Sequence, residues 1–86
     1  MKKIICAAIM TPTGFIIRGH RHSDCIRVAS GIRALTRYEI QHAEQGFISS
    51  DNLFVGRETA RKIAKRAGQL LDRAYDGKEL YSEDIY

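Results

Sequence analysis

Apolar runs of strand length stand in two pairs along the chain, and turn residues separate the members of each pair. Residues 4–10 and 15–17 form the first pair, with Pro12 and Gly14 between them. Proline presets φ and glycine tolerates positive φ, so this pattern predicts a β-hairpin. The same pattern predicts a second hairpin, with apolar runs at 46–48 and 53–55 and a polar turn at 49–52.

Apolar positions at helical spacing follow the first hairpin. We expect a helix that begins near Asp24, with Ser23 as its N-cap. Gly31 lowers the helix propensity of this stretch. Residues 36–44 fit both a strand and an extension of the helix, and the pattern does not decide between them. The apolar positions of the helix are Cys25, Ile26, Ala29, Ile32 and Leu35.

A second helix is expected after Gly56, which can serve as its N-cap. Gly77 ends this region, and residues 80–86 form a tail. The apolar positions at i, i+3, i+4 and i+7 spacing are Ala60, Ile63, Ala64, Ala67, Leu70 and Leu71. The opposite face is basic and carries Arg61, Lys62, Lys65 and Arg66.

The order of these elements is ββαββα, which predicts an α+β fold in a single domain spanning residues 1–86. Two hairpins can join in one antiparallel sheet of four strands, with both helices over one face. The other face, or an open edge, would then be available for self-association. A domain of this size buries only about 60–65% of its unfolded surface, so oligomerisation or ligand binding is expected to add stability.

Composition narrows the class of partner. Lys and Arg number 14 against 10 acids, which gives a formal net charge of +4. This modest excess favours anionic partners and falls short of the basic density of an architectural DNA-binding arm. The hydrophobic share of 44% and the charged share of 28% are ordinary for a folded soluble protein.

The two cysteines and the N-terminus favour a cytosolic protein. Cys6 and Cys25 lie in apolar surroundings without CxxC or zinc-site spacing, so we interpret both as reduced core residues, and a disulfide stays open. The apolar run after Lys3 is too short to span a membrane, and no cleavage site follows it. A first strand is therefore the better interpretation, and no membrane association is expected.

A loop rich in cations precedes the first predicted helix. Arg18, His20, Arg21 and His22 lie within it, and Gly19 would allow close approach of a ligand. A helix N-terminus presents free amides to anions, and an Arg guanidinium can bind a phosphate with two hydrogen bonds. The loop therefore predicts a phosphate site, and a solvated charged turn explains the same residues equally well.

Metal binding and catalysis have less support in the sequence. His20, His22 and Asp24 have no second cluster at zinc spacing, so neither a metal nor a cofactor is predicted. The serines, Ser82 included, have no local base, and no acid–base pair stands out, so no enzyme is predicted. The acidic tail is expected to be solvated, or to turn back onto the basic loop.

A second candidate region surrounds the second hairpin. Phe47 and Phe54 fit the core, and either one at a sheet edge could instead stack on a purine base. Arg57 lies in the first turn of the second helix, where a cation opposes the helix dipole. A residue placed against its local preference is a pointer to function, and pairing with Glu58 or the acidic tail is the structural alternative.

Five short blocks resemble a family of small bacteriophage and prophage proteins. The blocks are Arg21–Cys25, Glu44–Phe47, Phe54–Glu58, Ala67–Gln69 and Leu80–Tyr86. More specifically, the chain resembles the first of the two sponge families that counter the Thoeris defence system. This resemblance implies an antiparallel sheet with two helices that assembles as dimers or larger oligomers and is not an enzyme. Such proteins sequester cyclic ADP-ribose isomers made by TIR-domain sensors, and some also hold cyclic oligonucleotides at a separate site.

The resemblance also implies roles for individual residues. Arg21 and Arg57 would hold the pyrophosphate, and Phe47 would stack on adenine. Glu83 or Asp84 would accept hydrogen bonds from ribose hydroxyls. The complete set of expected ligand-binding residues is Arg18, His20, Arg21, His22, Phe47, Arg57, Gln69, Glu83 and Asp84.

The expected function is therefore that of a sponge that binds a cyclic nucleotide signal in the cytoplasm of the infected host without degrading it. One alternative is a phage accessory protein whose basic second helix contacts nucleic-acid phosphates, although the acidic tail and the modest charge argue against it. Two more hypotheses stay open: a protein that inhibits a host protein, and an enzyme that uses the two histidines.

Overall fold

The computed structural model describes residues 1–71 and 77–86, and its strands form one antiparallel sheet. The strands are β1 (Ile4–Met10), β2 (Ile16–Gly19), β3 (Glu44–Ser49) and β4 (Phe54–Gly56). Their spatial order is β2-β1-β3-β4, so the two hairpins lie side by side. Both predicted hairpins are confirmed, since β1 pairs with β2 and β3 pairs with β4 in antiparallel register.

The helical elements of the described residues are α1 (His22–Ser30), α2 (Arg37–Gln41), α3 (Arg57–Arg66) and a 3-10 turn (Ser82–Asp84). The α+β class is confirmed, and α2 is added to the predicted order between α1 and β3. Helix α2 resolves the ambiguous segment 36–44. The Glu39 amide donates to the Thr36 hydroxyl at 3.1 Å, and the Thr36 amide donates to the Glu39 carboxylate at 3.2 Å. This reciprocal capping box favours a helix over a strand.

Helix α1 begins earlier than predicted. Arg21 is the N-cap, in extended conformation with φ −126° and ψ 164°. Its amide donates to the Asp24 carboxylate at 3.1 Å, so a side chain from the first turn of α1 caps the N-terminus of the helix. Ser23 lies within that turn, and its predicted role as the N-cap is wrong. Gly56 is the N-cap of α3, as predicted.

Helices α1 and α3 both end earlier than predicted, and a glycine lies at or near each end. Helix α1 stops at Ser30, and Gly31 forms its C-cap. Helix α3 stops at Arg66, and Gly68 has a φ of +71°, in the left-handed region that ends helices. The residues expected to extend the two helices lie beyond their ends: Ile32, Leu35, Ala67, Leu70 and Leu71.

The core lies between one face of the sheet and a layer formed by α1, α3 and the tail. Ile9 and Phe47 provide its largest side chains from the sheet, and each is at most 1% exposed. The tail adds Leu80, which is also fully buried. Of the two alternatives for the acidic tail, solvation does not fit Asp84, which is 2% exposed and pairs with Arg61 of α3 and not with the basic loop. Small residues let the helices approach the sheet closely: Cys25 and Ala29 on α1, and Ala60 and Ala64 on α3.

Both cysteines are free thiols in the structure, and Cys25 lies in the core as interpreted from the sequence, whereas Cys6 does not. Cys25 is buried and Cys6 is half-buried. Burial raises the pKa of the Cys25 thiol to about 11, so this side chain stays protonated near neutral pH. Within the described residues, no helix combines the length and the apolar character that crossing a membrane requires.

The opposite, outer face of the sheet is covered by side chains from its own edge strands. Ala8 and Ile48 are at most 1% exposed there, although α1 and α3 pack on the other face. Arg18 lies beside Ala8 in the register, and its guanidinium reaches the Asn52 side chain in the turn between β3 and β4. Phe54 lies against Gly46, so close that a Cβ atom on Gly46 would come within 2.5 Å of the ring.

Candidate functional site

The two edge strands end at the same level of the sheet, opposite the middle of β1 and β3. Gly19 at the end of β2 is paired with Ala7, and Gly56 at the end of β4 is paired with Gly46, whose other partner is Ala8. Helices α1 and α3 begin directly after these strands. Both helix N-termini therefore lie near the start of β3, where residues distant in sequence can meet.

His22 connects α1, β3 and the tail. Its Nε2 lies 2.7 Å from the Gly46 carbonyl oxygen, and its Nδ1 lies 3.0 Å from the Ser82 hydroxyl. Because a carbonyl oxygen only accepts, Nε2 carries the proton, and Nδ1 accepts from Ser82. The ring packs edge-on against Phe47, with 4.9 Å between the centroids. His22 is thus held by three elements in one orientation and one tautomer.

The environment keeps His22 neutral. Burial lowers its pKa from the ordinary value of 6.5, and the nearby charge of Arg57 lowers it further. The Gly46 carbonyl and the charge of Glu83 act in the opposite direction and are outweighed. His22 therefore donates and accepts as a neutral imidazole near neutral pH.

Acidification is expected to destabilise the fold through His22. Because its folded-state pKa is lowered, the unfolded chain binds the proton more tightly, and stability rises with pH across this range. The stabilisation is complete above the unfolded-state pKa of 6.5 and is lost as the pH falls towards the folded-state pKa. Thermal denaturation between about pH 7.5 and about pH 5 should show a falling Tm on the acidic side.

The control is His22→Gln, which keeps a side-chain donor for the Gly46 carbonyl and does not titrate. We expect a lower Tm than wild type near neutral pH and a weaker decline on acidification. An equal acid dependence in both proteins would assign the effect to other groups.

Arg57 anchors the tail from the first turn of α3. Its Nη1 lies 3.2 Å from the Glu79 carboxylate, and its Nη2 donates to the Gln45 side chain. The guanidinium also lies over the Tyr81 ring, 5.2 Å from the centroid, and the Leu80 amide donates to the Arg57 carbonyl at 3.0 Å. Its Nε is buried and has no hydrogen-bond partner among the described residues.

Two adjacent pockets open at this junction. The tail pocket, of about 300 Å³, is lined by Arg21, His22, Ser23, Gln45, Tyr81, Ser82 and Glu83. The acidic pocket, of about 580 Å³, is lined by Ala43, Glu44, Gln45, Gly56, Arg57, Glu58, Thr59 and Glu79. Gln45 lines both, so a single elongated ligand could occupy the two pockets together.

The two pockets differ in charge. In the tail pocket Arg21 faces a single carboxylate, that of Glu83, and the amides of His22 and Ser23 have no acceptor within the described chain. These amides belong to the first turn of α1, whose dipole is positive at this end. In the acidic pocket, three glutamates outnumber Arg57. An anionic group therefore fits the tail pocket, and hydroxyl or amino groups fit the acidic pocket.

The structure brings together some of the predicted ligand-binding residues. Arg21, His22 and Glu83 share the tail pocket, and Arg57 lies next to it in the acidic pocket. The stacking role predicted for Phe47 does not fit the structure, because its side chain is 0% exposed and forms the wall behind His22. An adenine ring has no access to it.

Four more predicted residues have structural partners outside these pockets. The Gln69 side chain forms two hydrogen bonds with the backbone of Ile4, at 2.7 and 2.8 Å, and so pairs with the backbone at the start of β1 as a neighbouring strand would. The remaining three are Arg18, which contacts Asn52, His20, which stacks on Tyr86 at 3.9 Å, and Asp84, which is 2% exposed and pairs with Arg61 at 3.6 Å.

Sequence reasoning missed Gln45, Tyr81 and Ser82 as site residues. All three belong to the Glu44–Phe47 and Leu80–Tyr86 blocks on which the phage resemblance rests, so the blocks carried the signal. Ser82 has no base near it in the sequence, whereas His22 lies beside it in the fold. Among the described residues, no group of three or more His, Cys, Asp or Glu side chains is arranged to hold a metal ion.

A comparison with protein families gives one match along almost the whole chain. A family model described as Phage T4 y16D protein matches residues 3–86, which include both pockets and every element described above. The description names a phage and states neither a ligand nor an activity. No curated protein and no solved structure matches the chain.

Proposed function

Because the chain belongs to the phage T4 y16D protein family, we propose that it is a phage protein that binds a small nucleotide-like ligand across the tail pocket and the acidic pocket. The observation that carries this proposal is the position of Gln45, which lines both pockets between the starts of α1 and α3. A single ligand spanning them would meet two chemically different ends.

The tail pocket suits the phosphate end of such a ligand. Arg21 offers a planar guanidinium, and the amides of His22 and Ser23 add donors from the helix N-terminus. The Ser82 hydroxyl already donates to His22, so its oxygen can accept but adds no further donor. The anion would thus be held by one charged side chain and by backbone amides.

The acidic pocket suits the sugar end. Glu44, Glu58 and Glu79 are acceptors that can bind ribose hydroxyls, whereas a phosphate there would be repelled. Arg57 lies at the boundary and donates to the Gln45 side chain, and its positive charge favours a bridging phosphate there. Tyr81 is 37% exposed at the mouth of the tail pocket, and it replaces Phe47 as the aromatic side chain that can stack on a base.

We propose further that the protein holds this ligand without degrading it and so sequesters an immune signal in the cytoplasm of the infected host. A cyclic ADP-ribose isomer has the pyrophosphate, two riboses and a base that the two pockets would accommodate. His22 donates to a backbone carbonyl and accepts from Ser82, which supports a positioning role over proton transfer. Incubating ligand with wild type and with Ser82→Ala should return it intact in both cases.

Arg21→Gln is expected to weaken binding of a cyclic ADP-ribose isomer by about tenfold to a hundredfold, because a hydrogen-bonded charge is lost. Isothermal titration calorimetry measures this directly, with each isomer and with cyclic oligonucleotides as separate ligands. Arg37→Gln is the matched control, since it removes the same charge from the exposed start of α2. If none of the ligands binds, the proposal is contradicted. If Arg21→Gln and Arg37→Gln weaken binding equally, Arg21 does not contact the ligand.

A homodimer or larger homo-oligomer is also proposed. Phe15, Ile16 and Leu53 are 48%, 42% and 57% exposed at the hairpins, where a second copy could cover them. Light scattering coupled to size-exclusion chromatography gives the mass in solution, and a monomer at all concentrations would contradict this proposal.

A further inference from the structure

We propose that α3 carries a second, separate site, which binds the phosphate backbone of nucleic acid. Four cations form a basic strip: Lys62, Lys65 and Arg66 on α3, and Lys78 just before the tail. None of the four has a carboxylate within ion-pair distance among the described residues. These charges stabilise no other part of the described fold by ion pairing, so they are available to an external anion.

Two grooves flank the exposed ridge of α3. One, of about 590 Å³, is lined by Lys62, Lys65 and Lys78. The other, of about 470 Å³, is lined by Lys62 and Arg66 together with Lys2. Because Lys62 lines both, the positive charge continues across the ridge from one groove to the other.

Other charges at the basic strip are few and largely paired. Arg61 lies deep in the first groove and pairs with Asp84 at 3.6 Å, and Lys2 pairs with Asp51 at 3.2 Å. Glu58 is the one acid that lines either groove among the described residues. Among the described residues this surface is therefore more positive than the tail pocket or the acidic pocket. It shares Glu58 and Thr59 with the acidic pocket, but its four cations line neither of those pockets.

The spread of charge favours a polymer over a small anion. Helix α3 has 10 residues, which gives a length of about 15 Å, and side chains three or four positions apart are about 5–6 Å from one another. A row of phosphates can meet such a strip, whereas one small anion would contact only part of it. Phosphate contacts supply most of the affinity in non-specific nucleic-acid binding.

Contact with the phosphate backbone of a nucleic acid also agrees with the types of side chain that line the grooves. No aromatic residue lines either groove within the described chain, so bases have no stacking platform, and duplex DNA is favoured over single strands. The exposed positions of α3 are polar, as Thr59, Lys62 and Lys65 show, and its apolar face is packed in the core, so α3 has no exposed apolar face to insert into a lipid bilayer. The strip therefore fits a duplex better than a membrane.

The test is fluorescence anisotropy of a labelled duplex of random sequence, titrated with the full chain at several salt concentrations. Four phosphate contacts predict a slope of log K against log salt of about −3.6, a loss of roughly 150-fold between 50 and 200 mM salt. Lys62→Gln/Lys65→Gln/Arg66→Gln should reduce the slope to about −0.9. Arg27→Gln/Arg33→Gln/Arg37→Gln is the matched control, since each triple variant lowers the formal net charge from +4 to +1.

The control variant should keep most of the slope, because its cations lie on α1, α2 and their connection. Equal loss in the two triple variants would show that net charge alone is responsible and would overturn the proposal. Lys78→Gln lies outside α3, so it tests the strip without altering that helix, and the slope should change by about 0.9. Binding to anionic lipid vesicles without binding to DNA would assign the strip to a membrane surface instead.

Discussion

Gly46→Ala is expected to lower the free energy of unfolding by at least about 3 kcal/mol, the upper range for overpacking a core. A Cβ atom on Gly46 would lie 2.3 Å from the Val55 carbonyl oxygen and 2.5 Å from Cζ of Phe54. The first neighbour is backbone, so β3 and β4 would have to separate. For a domain of this size the loss corresponds to a fall in Tm of roughly 12–24 °C, measurable by circular dichroism.

Gly31→Ala is the matched control for this substitution. Gly31 has an ordinary φ of −87°, and the nearest atom to its added Cβ would be the Val28 carbonyl oxygen at 3.5 Å, which is an ordinary contact. We expect this variant to be neutral or slightly more stable, because alanine restricts the unfolded chain. A comparable loss from both substitutions would refute the steric explanation.

A double variant separates the two contacts. Phe54→Ala removes the ring that a Cβ on Gly46 would meet, but it leaves the Val55 carbonyl in place. Gly46→Ala should therefore remain strongly destabilising in the Phe54→Ala background. Full rescue there would mean that the ring, and not the strand pairing, excludes a side chain at Gly46.

The hairpins could be predicted from the sequence because their turns contain residues that favour turn conformations locally, such as Pro12 and Gly14. Residues 4–10 form β1 as predicted, and the turn of Pro12 and Gly14 follows it. The ends of α1 and α3 could not be placed, since apolar positions continue at helical spacing past them. What stops α3 is the left-handed conformation of Gly68, after which Leu70 packs against the core from outside the helix.

The candidate site could be predicted only in part. The basic loop identifies Arg21 and His22 correctly as neighbours at a helix start, because a local pattern suffices for that. The partner of His22 is Ser82, 60 residues away, and its burial depends on how the tail folds back. The stacking role of Phe47 is wrong because alternation along β3 does not say which face meets the helices. Tertiary packing decides both the burial of His22 and the face on which Phe47 lies. The hydrophobic periodicity of a single sequence does not reveal that packing.

The second large effect is expected at the ion pair between Arg61 and Asp84, which joins α3 to the tail. The two residues are 8% and 2% exposed. Arg61 Nη1 lies 3.6 Å from the Asp84 carboxylate and has no hydrogen-bond partner within the described chain. Asp84→Asn would strand a buried guanidinium, which typically costs about 3–5 kcal/mol. The asparagine still offers an oxygen to the Tyr81 amide, which donates to Asp84 at 2.9 Å.

A double-mutant cycle with Arg61→Met isolates the charge. Urea denaturation of wild type, both single variants and the double variant gives the four stabilities, and the cycle subtracts every other contact of Asp84. With methionine at position 61, Asp84→Asn leaves no unpaired buried cation. The substitution should therefore lower the free energy of unfolding less in this background than in wild type, by about 2 kcal/mol or more. Equal costs in the two backgrounds would show that the charge of Arg61 contributes nothing, and that Asp84 holds the tail through its other contacts.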